Sequence, residues 1–221
     1  MAINIQNGYL TQNHHRGGKE DIRIITPRLQ LRAFTPSDFY PLHAIARHPD
    51  FSFYSLDGSK AKTQALLDKC IATQAPDPKT GQRQNYKLAI TLPDQDSVIG
   101  YVSIGEINPA SGDITDIGYF LHPDYQGRGY ASEAVRHLCS FVIDHHNLPQ
   151  IWATVHPDNI RSQNVLKALN FAYVGPKDTG KVTATGAQEP RLTYRLDANE
   201  LNMTPAASTD RETPWPRLQQ T

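Results

Sequence analysis

The feature that constrains the fold most is a change in the spacing of apolar residues near the middle of the chain. Apolar and polar side chains alternate in three successive segments, residues 85–92, 97–107 and 114–121, which predicts three strands of an antiparallel meander. Over residues 127–146 the apolar positions recur every three or four residues, which predicts an amphipathic helix. A further strand is predicted at 151–155. Strands followed by a long helix and another strand favour a sheet covered by helices.

The remaining elements fit a mixed α/β fold. The order strand–helix–strand–helix over residues 114–174 predicts that the strands on either side of the long helix pair in parallel through a right-handed crossover. The expected fold class is therefore a twisted mixed α/β sheet with an antiparallel N-terminal meander, parallel central strands and flanking helices. The other predicted elements are an extended segment at 22–34 bent at Thr26-Pro27, helices at 36–46, 59–74 and 159–169, and strands at 171–174 and 192–196.

Composition divides the chain into a folded part with two tails. Residues 1–21 are polar and rich in Asn, Gln, Gly and His, so we expect a flexible N-terminal leader. Residues 22–197 are predicted to form a single domain. Residues 198–221 contain three prolines and little apolar periodicity, which predicts a disordered C-terminal tail. Two loops rich in Gly, Pro and Thr, at 75–85 and 178–189, are expected to shape a substrate pocket.

Charge and cysteine content exclude several classes of protein. Lys and Arg total 22 and Asp and Glu total 22, so the formal net charge is zero, which argues against nucleic-acid and anionic-membrane partners. No apolar run approaches the roughly 18 residues that span a bilayer, and residues 1–21 lack the apolar core of a signal peptide. Cys70 and Cys139 lie in helical patterns and are predicted to be buried free thiols. We therefore expect a cytoplasmic protein, either a monomer or a homodimer.

The nine histidines include no spacing typical of a metal site, such as H-E-x-x-H, so the sequence predicts no metal centre. The tripeptide His-Pro-Asp occurs three times, at residues 48–50, 122–124 and 156–158, without a constant period. Each copy comes directly after a predicted element, where proline ends the preceding run and aspartate caps the next element. We interpret the copies as structural turns.

Two glycines, Gly127 and Gly129, lie where the long helix is predicted to begin. The first helical turn has backbone N–H groups without intrahelical partners. Glycine lets a ligand approach these groups closely, and the helix dipole favours an anion such as a pyrophosphate. The Lys-Ser/Thr pair of a P-loop and the third glycine of a dinucleotide-binding fingerprint are both missing. The alternative interpretation is a tight turn with close packing.

Three segments in order resemble the GNAT acetyltransferase superfamily. Residues 126–131 match its Q/R-x-x-G-x-G/A signature for acetyl-CoA. Residues 159–171 resemble its N-x-x-S-x-x-V-L-x-x-x-G-F segment, with Asn170 in place of glycine; asparagine tolerates the left-handed conformation that this turn needs. Residues 26–32 resemble the T-x-R-L-x-L-R opening of the ribosomal-protein (Rim-type) branch. The resemblance covers about 23–197.

The resemblance implies that acetyl-CoA (coenzyme A) is the cofactor. It places the pantetheine arm in a gap where the strand ending at Phe120 and Leu121 splays from the strand at 151–155. A backbone N–H near Leu121 would then polarise the thioester carbonyl. Arg128 either contacts the phosphates or is solvated, and Asn159 either binds pantetheine or is an ordinary N-cap. The implied cofactor-binding residues are Phe120, Leu121, Gln126, Gly127, Arg128, Gly129, Tyr130, Ala131, Asn159 and Ser162.

The implied reaction is N-acetylation of an amine acceptor by direct attack on the thioester. At pH 7 a lysine-like ammonium with a pKa of about 10.4 costs roughly 4–5 kcal/mol to deprotonate, whereas a protein α-amine with a pKa of about 8 costs about 1 kcal/mol. The acceptor is a protein N-terminal amine or a small-molecule amine. An α-amine makes small demands on a base.

The candidate catalytic residues are Asp116 and Glu106 as bases, with a water relay as the alternative, and Ser162 as a partner of the sulfur. Each carboxylate is otherwise a solvated charge at a strand end, and Ser162 is otherwise a helix-capping residue. The position where many members carry a tyrosine as the acid is Leu166. This departure motivates an alternative function, an acyl-CoA-binding sensor without turnover. Tyr119 and Tyr125 either line the acceptor pocket or pack.

Overall fold

The protein is described from a computed structural model. The structure describes residues 2–6, 9–16, 19–51, 56–78, 81, 83–105, 117–182 and 188–201. Its strands are β1 (Ala2–Gln6), β2 (Tyr9–Arg16), β3 (Lys19–Ile25), β4 (Gln30–Ala33), β5 (Tyr86–Leu92), β6 (Gln95–Ile104), β7 (Ile117–Leu121), β8 (Gln150–Val155), β9 (Ala172–Val182) and β10 (Gln188–Asp197). Its helices are α1 (Phe39–Arg47), α2 (Lys60–Ala72), α3 (Tyr130–His146), α4 (Ile160–Ala168) and α5 (Ala198–Leu201), with short 3-10 turns at Pro36–Asp38 and Pro123–Tyr125.

The strands form two antiparallel sheets. Strands β1 to β7 pair in sequence order, and β8, β10 and β9 pair in that spatial order. Strands β7 and β8 approach to within 8 Å between Cα atoms, yet no ladder joins these two fully described strands. The mixed α/β fold predicted from the sequence is confirmed. The predicted parallel pairing of the strands on either side of α3 is wrong, because β7 and β8 lie in separate sheets and are splayed apart.

In the seven-stranded sheet, most residues of β4, β5 and β6 are buried, so these strands are covered on both faces. In β5, Leu88 and Ile90 belong to one apolar cluster and Ala89 to another, as expected for side chains that alternate across a strand. The first cluster includes the inner face of α3, and the second includes the inner faces of α1 and α2. Helix α3 thus covers one face and the two N-terminal helices cover the other, which holds the end of β7 between them.

The N-terminal region differs from the sequence expectation. The sequence predicted a flexible leader over residues 1–21, but the backbone of β1, β2 and the start of β3 forms antiparallel ladders. These ladders extend from the core segment Ile22–Ile25, whose Ile22 and Ile24 are buried. Pairing by backbone groups needs no apolar side-chain pattern, which is why composition gave no signal for it.

Two predictions about the C-terminal region also need correction. The tail was predicted to begin at residue 198, but Ala198–Leu201 is helical and Leu201 is buried in the core. The rest of the predicted tail, 202–221, lies outside the described residues. The predicted loop at 178–189 is shorter, because β9 extends to Val182 and β10 begins at Gln188.

The two cysteines are buried free thiols, as predicted. Burial raises the pKa of Cys70 and of Cys139 to about 12, so both stay protonated near neutral pH. Among the described residues, no helix combines the length and apolarity needed to cross a membrane.

Candidate functional site

The turn between β7 and α3 leaves the start of the helix open. The sequence predicted a helix from residue 127, but α3 begins at Tyr130 because Gly127 and Gly129 have φ values of 73° and 77°, in the left-handed region. Gly129 is the N-cap and supplies no side-chain hydrogen bond. A Cβ atom built on Gly127 would meet nothing within 4 Å. The N–H groups of the first turn have no partner within the helix, and the space beside Gly127 is open to a ligand.

Three arginines from separate elements surround this turn. Nη1 of Arg28, which precedes β4, donates to the carbonyl of Arg128 at 2.9 Å, and its guanidinium lies 4.9 Å from the ring centre of Tyr130. Arg161 on α4 donates to Oε1 of Gln126 at 3.2 Å. The exposed Arg128 extends over Tyr125. Positive charge and the positive end of the α3 dipole coincide here, which favours an anion.

Glu133 in the first turn of α3 holds Arg28 in place. Its carboxylate accepts Nε of Arg28 at 2.6 Å, the backbone N–H of Arg28 at 2.8 Å and the hydroxyl of Thr26 at 2.6 Å. The Glu133 side chain is 9% exposed, whereas that of Arg28 is 50% exposed. The ion pair therefore anchors one side of the guanidinium while the other faces solvent.

The end of β7 aims a backbone N–H towards β8. His122 N–H donates to the carbonyl of Ile99 at 2.8 Å, so these two residues form a hydrogen-bonded pair of the antiparallel ladder. Bonded and non-bonded pairs alternate, so Leu121, opposite Gly100, has its N–H and C=O directed away from β6. The Leu121 carbonyl accepts Nε2 of Gln126 at 3.1 Å, which agrees with this orientation.

The start of α4 approaches β7 through a pair of hydroxyls. Asn159 caps α4, with its Oδ1 accepting the Ser162 N–H at 3.0 Å. Oγ of Ser162 lies 2.7 Å from the hydroxyl of Tyr119 on β7. Burial raises the pKa of Tyr119 to about 12 despite the hydrogen bond with Ser162, which lowers it. Leu166 is 2% exposed and packs in the core.

A family model described as the acetyltransferase (GNAT) domain matches residues 28–172, more than half of the chain. The chain belongs to the GNAT acetyltransferase family. Acetyl-CoA is accordingly the cosubstrate of this acetyltransferase. The matched region contains every part of the site described above except Thr26.

Two curated relatives of this GNAT protein cover most of its length. The uncharacterized N-acetyltransferase p20 of Bacillus licheniformis is 35% identical over 157 residues, 69% of this chain and 83% of that protein. The uncharacterized N-acetyltransferase YnaD of Bacillus subtilis is 27% identical over 157 residues, 70% of this chain and 85% of that protein. Among solved structures, RimJ of Mycobacterium smegmatis in complex with CoA-disulfide has a TM-score of 0.63 at 21% identity, covering 86% of this chain and 88% of that one. This likeness confirms the fold.

The GNAT fold brings together the cofactor-binding residues predicted from the sequence, although not all through their side chains. Phe120 is buried, with its ring 5.2 Å from that of Tyr101 between ring centres, and by the same alternation its backbone groups point towards β6 and not into the gap. The amide of Gln126 is held by Leu121 and Arg161. The residues around the turn and the start of α4 are Phe120, Leu121, Gln126, Gly127, Arg128, Gly129, Tyr130, Ala131, Asn159 and Ser162. Two predicted bases, Asp116 and Glu106, lie outside the described residues.

Sequence reasoning missed four residues of this GNAT site. Arg28 stands in the T-x-R-L segment, and that motif was the available signal. Glu133 and Arg161 carry ordinary helix-surface charges, and their roles depend on tertiary contacts. Tyr119 was assigned only to the acceptor pocket or to packing, and its contact with Ser162 joins elements far apart in sequence.

The residues present fit acetyl-CoA. An uncapped helix start, open space at Gly127 and a partly free guanidinium at Arg28 suit a diphosphate. The edge of β7 that pairs with no other strand, with the Leu121 N–H directed outward, suits the amide-containing pantetheine arm, which would bind like an added strand.

Proposed function

We propose that the protein transfers the acetyl group of acetyl-CoA to a primary amine by direct attack of the amine on the thioester. The acceptor class is a protein N-terminal amine or a small-molecule amine, within the Rim-type branch. The observation that carries this proposal is the outward N–H of Leu121 at the unladdered edge between β7 and β8. A preorganised donor there would stabilise negative charge on the carbonyl oxygen during attack.

The cofactor is proposed to lie across the turn and the gap. Its diphosphate would accept the N–H groups of residues 127–131 and the free donors of Arg28, with Arg128 at the rim. Acetyl-CoA supplies the activated acetyl thioester. Its pantetheine arm would lie along β7, where Leu121 presents its N–H.

Ser162 is proposed to donate a hydrogen bond towards the leaving sulfur, while the Tyr119 hydroxyl donates to Oγ of Ser162. A thiol has a pKa near 8.5, about 3.5 units below the pKa of about 12 of Tyr119. Complete proton transfer from the phenol would cost about 5 kcal/mol. The pair is therefore suited to stabilising a thiolate through the Ser162 hydroxyl, with the proton arriving from water.

The acceptor amine must reach the gap in its neutral form. We retain Asp116 and Glu106 as the proposed bases, acting directly or through water. For an α-amine acceptor the deprotonation cost is only about 1 kcal/mol, so loss of either carboxylate is expected to slow an α-amine less than a lysine side chain.

The cofactor site is tested by two substitutions at Gly127 whose side chains have nearly the same shape but differ in charge. Asparagine and aspartate both tolerate positive φ, so Gly127→Asn and Gly127→Asp carry similar strain. We expect Gly127→Asp to bind CoA at least about tenfold more weakly than Gly127→Asn, equivalent to about 1.4 kcal/mol, because only the carboxylate repels the diphosphate. Isothermal titration of the folded variants gives the two affinities. Equal affinities would show that the diphosphate does not bind at this turn.

Turnover is tested by thiol release from acetyl-CoA with a panel of N-terminal peptides, polyamines and lysine derivatives. We expect Ser162→Ala to lower kcat roughly 100-fold and Tyr119→Phe roughly tenfold, with CoA affinity unchanged. Tyr173→Phe, an exposed tyrosine on β9, is the control. The buried Leu166 at the usual acid position favours one competing function, a sensor without turnover. Saturable CoA binding with no thiol release on any amine would support it.

A further inference from the structure

The three His-Pro-Asp tripeptides adopt one local structure. In each, the aspartate backbone N–H donates to Nδ1 of the histidine two residues earlier, at 3.2 Å in all three cases. The tripeptides therefore form turns, as the sequence predicts. The acetyl-transfer site uses none of their side chains.

Two of the three copies meet in space. His48 is the C-cap of α1 and His122 precedes the 3-10 turn after β7, and their ring centres lie 5.0 Å apart. The carboxylate of Asp124 lies 3.9 Å from Nε2 of His48 and 3.7 Å from Nδ1 of His122. One ligand atom from each residue falls within 4.8 Å of the others, the only such group of three within the described part of the chain.

We propose that His48, His122 and Asp124 bind a divalent transition-metal ion of the Zn²⁺ class. With Zn–N bonds of about 2.0–2.1 Å, two ligands of a tetrahedral ion lie about 3.3–3.4 Å apart, slightly closer than the separations of Asp124 from the two rings. Asp124 is 72% exposed, so its side chain is free to rotate inward. Two imidazoles and one carboxylate leave the fourth position for water.

The hydrogen bonds at Nδ1 determine which ions suit the site. A neutral ring that accepts a backbone N–H at Nδ1 carries its proton on Nε2. Binding an ion at Nε2 of His48 moves that proton to Nδ1 and gives up the 3.2 Å bond with Asp50. This loss favours ions with strong affinity for imidazole, such as Zn²⁺, Ni²⁺ or Cu²⁺, over Mg²⁺ and Ca²⁺.

The ion would fasten the end of α1 to the turn that comes after β7. Phe51, after α1, already contacts Phe120 at 5.2 Å between ring centres. Asp124 lies two residues before Gln126, where the cofactor turn begins. The proposed ion therefore links the N-terminal helices to the strand that presents Leu121, without contacting the reacting atoms.

The experiment titrates ZnCl₂ into the metal-free full-length protein by calorimetry. A His14→Gln/His15→Gln/His145→Gln background is used because adjacent histidines, as at 14–15 and 145–146, bind Zn²⁺ by themselves. We expect one equivalent to bind and to raise Tm. His48→Ala and Asp124→Ala should each lose this step. His156→Ala removes a histidine from the same kind of turn, whose ring faces Asp158 at 3.7 Å, and should keep it.

Co²⁺ provides a second readout, since three protein ligands and water give a tetrahedral visible spectrum that the His48→Ala variant should lack. Circular dichroism establishes that each variant is folded, and Asp124→Asn replaces any variant that is not. Binding that is absent from the parent protein, or that His156→Ala reduces as much as His48→Ala does, would overturn the proposal.

Discussion

Two arginines four residues apart in the segment 26–32 have opposite surroundings. The Arg32 side chain is 7% exposed, and all five of its N–H groups find acceptors in Asp38, Asp96 and the Ala33 carbonyl. Arg28 is 50% exposed and donates two side-chain hydrogen bonds, to Glu133 and the Arg128 carbonyl. Its other three N–H groups have no acceptor within the described part of the chain.

This difference separates an arginine that maintains the fold from one that is available to a ligand. Arg32 joins β4 to the turn before α1 and to the start of β6 through a bidentate pair with Asp38 and an ion pair with Asp96. Arg28 meets a single carboxylate and extends its remaining donors over the start of α3. A motif match alone does not distinguish these roles, whereas counting satisfied donors does.

The largest expected effect comes from breaking the buried pair. Arg32→Leu leaves Asp38 as a buried charge without its partner, so we expect the free energy of unfolding to fall by about 3–5 kcal/mol. Urea denaturation measures it. The double variant Arg32→Leu/Asp38→Leu removes both charges and should recover part of the loss. A single variant as stable as the parent would show that Arg32 does not support the fold.

The pH dependence of stability should identify the same pair. Burial raises the pKa of Asp38, but hydrogen bonds from Arg32 and Thr35 and the Arg32 charge outweigh it and hold this pKa below 3.8. The stabilisation is therefore complete above pH 3.8 and is lost as pH falls through the folded-state pKa. Urea denaturation at pH 5 and pH 3 should show a difference between the parent and Asp38→Asn that shrinks at the lower pH. A constant difference would contradict this.

Substitution of Arg28 is expected to have a smaller effect, and to change the affinity for CoA instead of the stability of the fold. Arg28→Ala should weaken CoA affinity about tenfold, or about 1.4 kcal/mol, because it removes donors facing the diphosphate. Isothermal titration measures the change, and Arg47→Ala controls for the loss of one exposed positive charge. If the two variants bind CoA equally, Arg28 makes no specific contact.

The smallest effect tests the exposed side of the Arg32 cluster. Asp96 pairs with Arg32 at 2.6 Å but is 80% exposed, so Asp96→Ala should cost only about 0–1 kcal/mol in urea denaturation. A loss as large as that of Arg32→Leu would mean that exposure does not distinguish the two carboxylates.

The sequence predicted the elements with strong periodicity and missed contacts between distant segments. Alternation in residues 85–92 and the helical spacing that ends at residue 146 were confirmed within a few residues. Asn170 was expected to tolerate a left-handed turn, and its φ is 64°. The direction of the Leu121 N–H depends on strand register, which one sequence does not reveal. The Tyr119–Ser162 and Arg28–Glu133 contacts join segments 43 and 105 residues apart.

The facing edges of β7 and β8 leave backbone hydrogen-bonding groups unpaired between the two sheets when no cofactor is bound. Strand edges usually lie at the rim of a sheet, where proteins shield them. Here two edges meet inside the molecule, and the chain between them is a single helix. A bound pantetheine arm would hydrogen-bond to these edges and so connect the two sheets. Binding of acetyl-CoA should therefore slow amide hydrogen exchange along both edges. The rigidity of this region would then depend on how much of the protein carries acetyl-CoA.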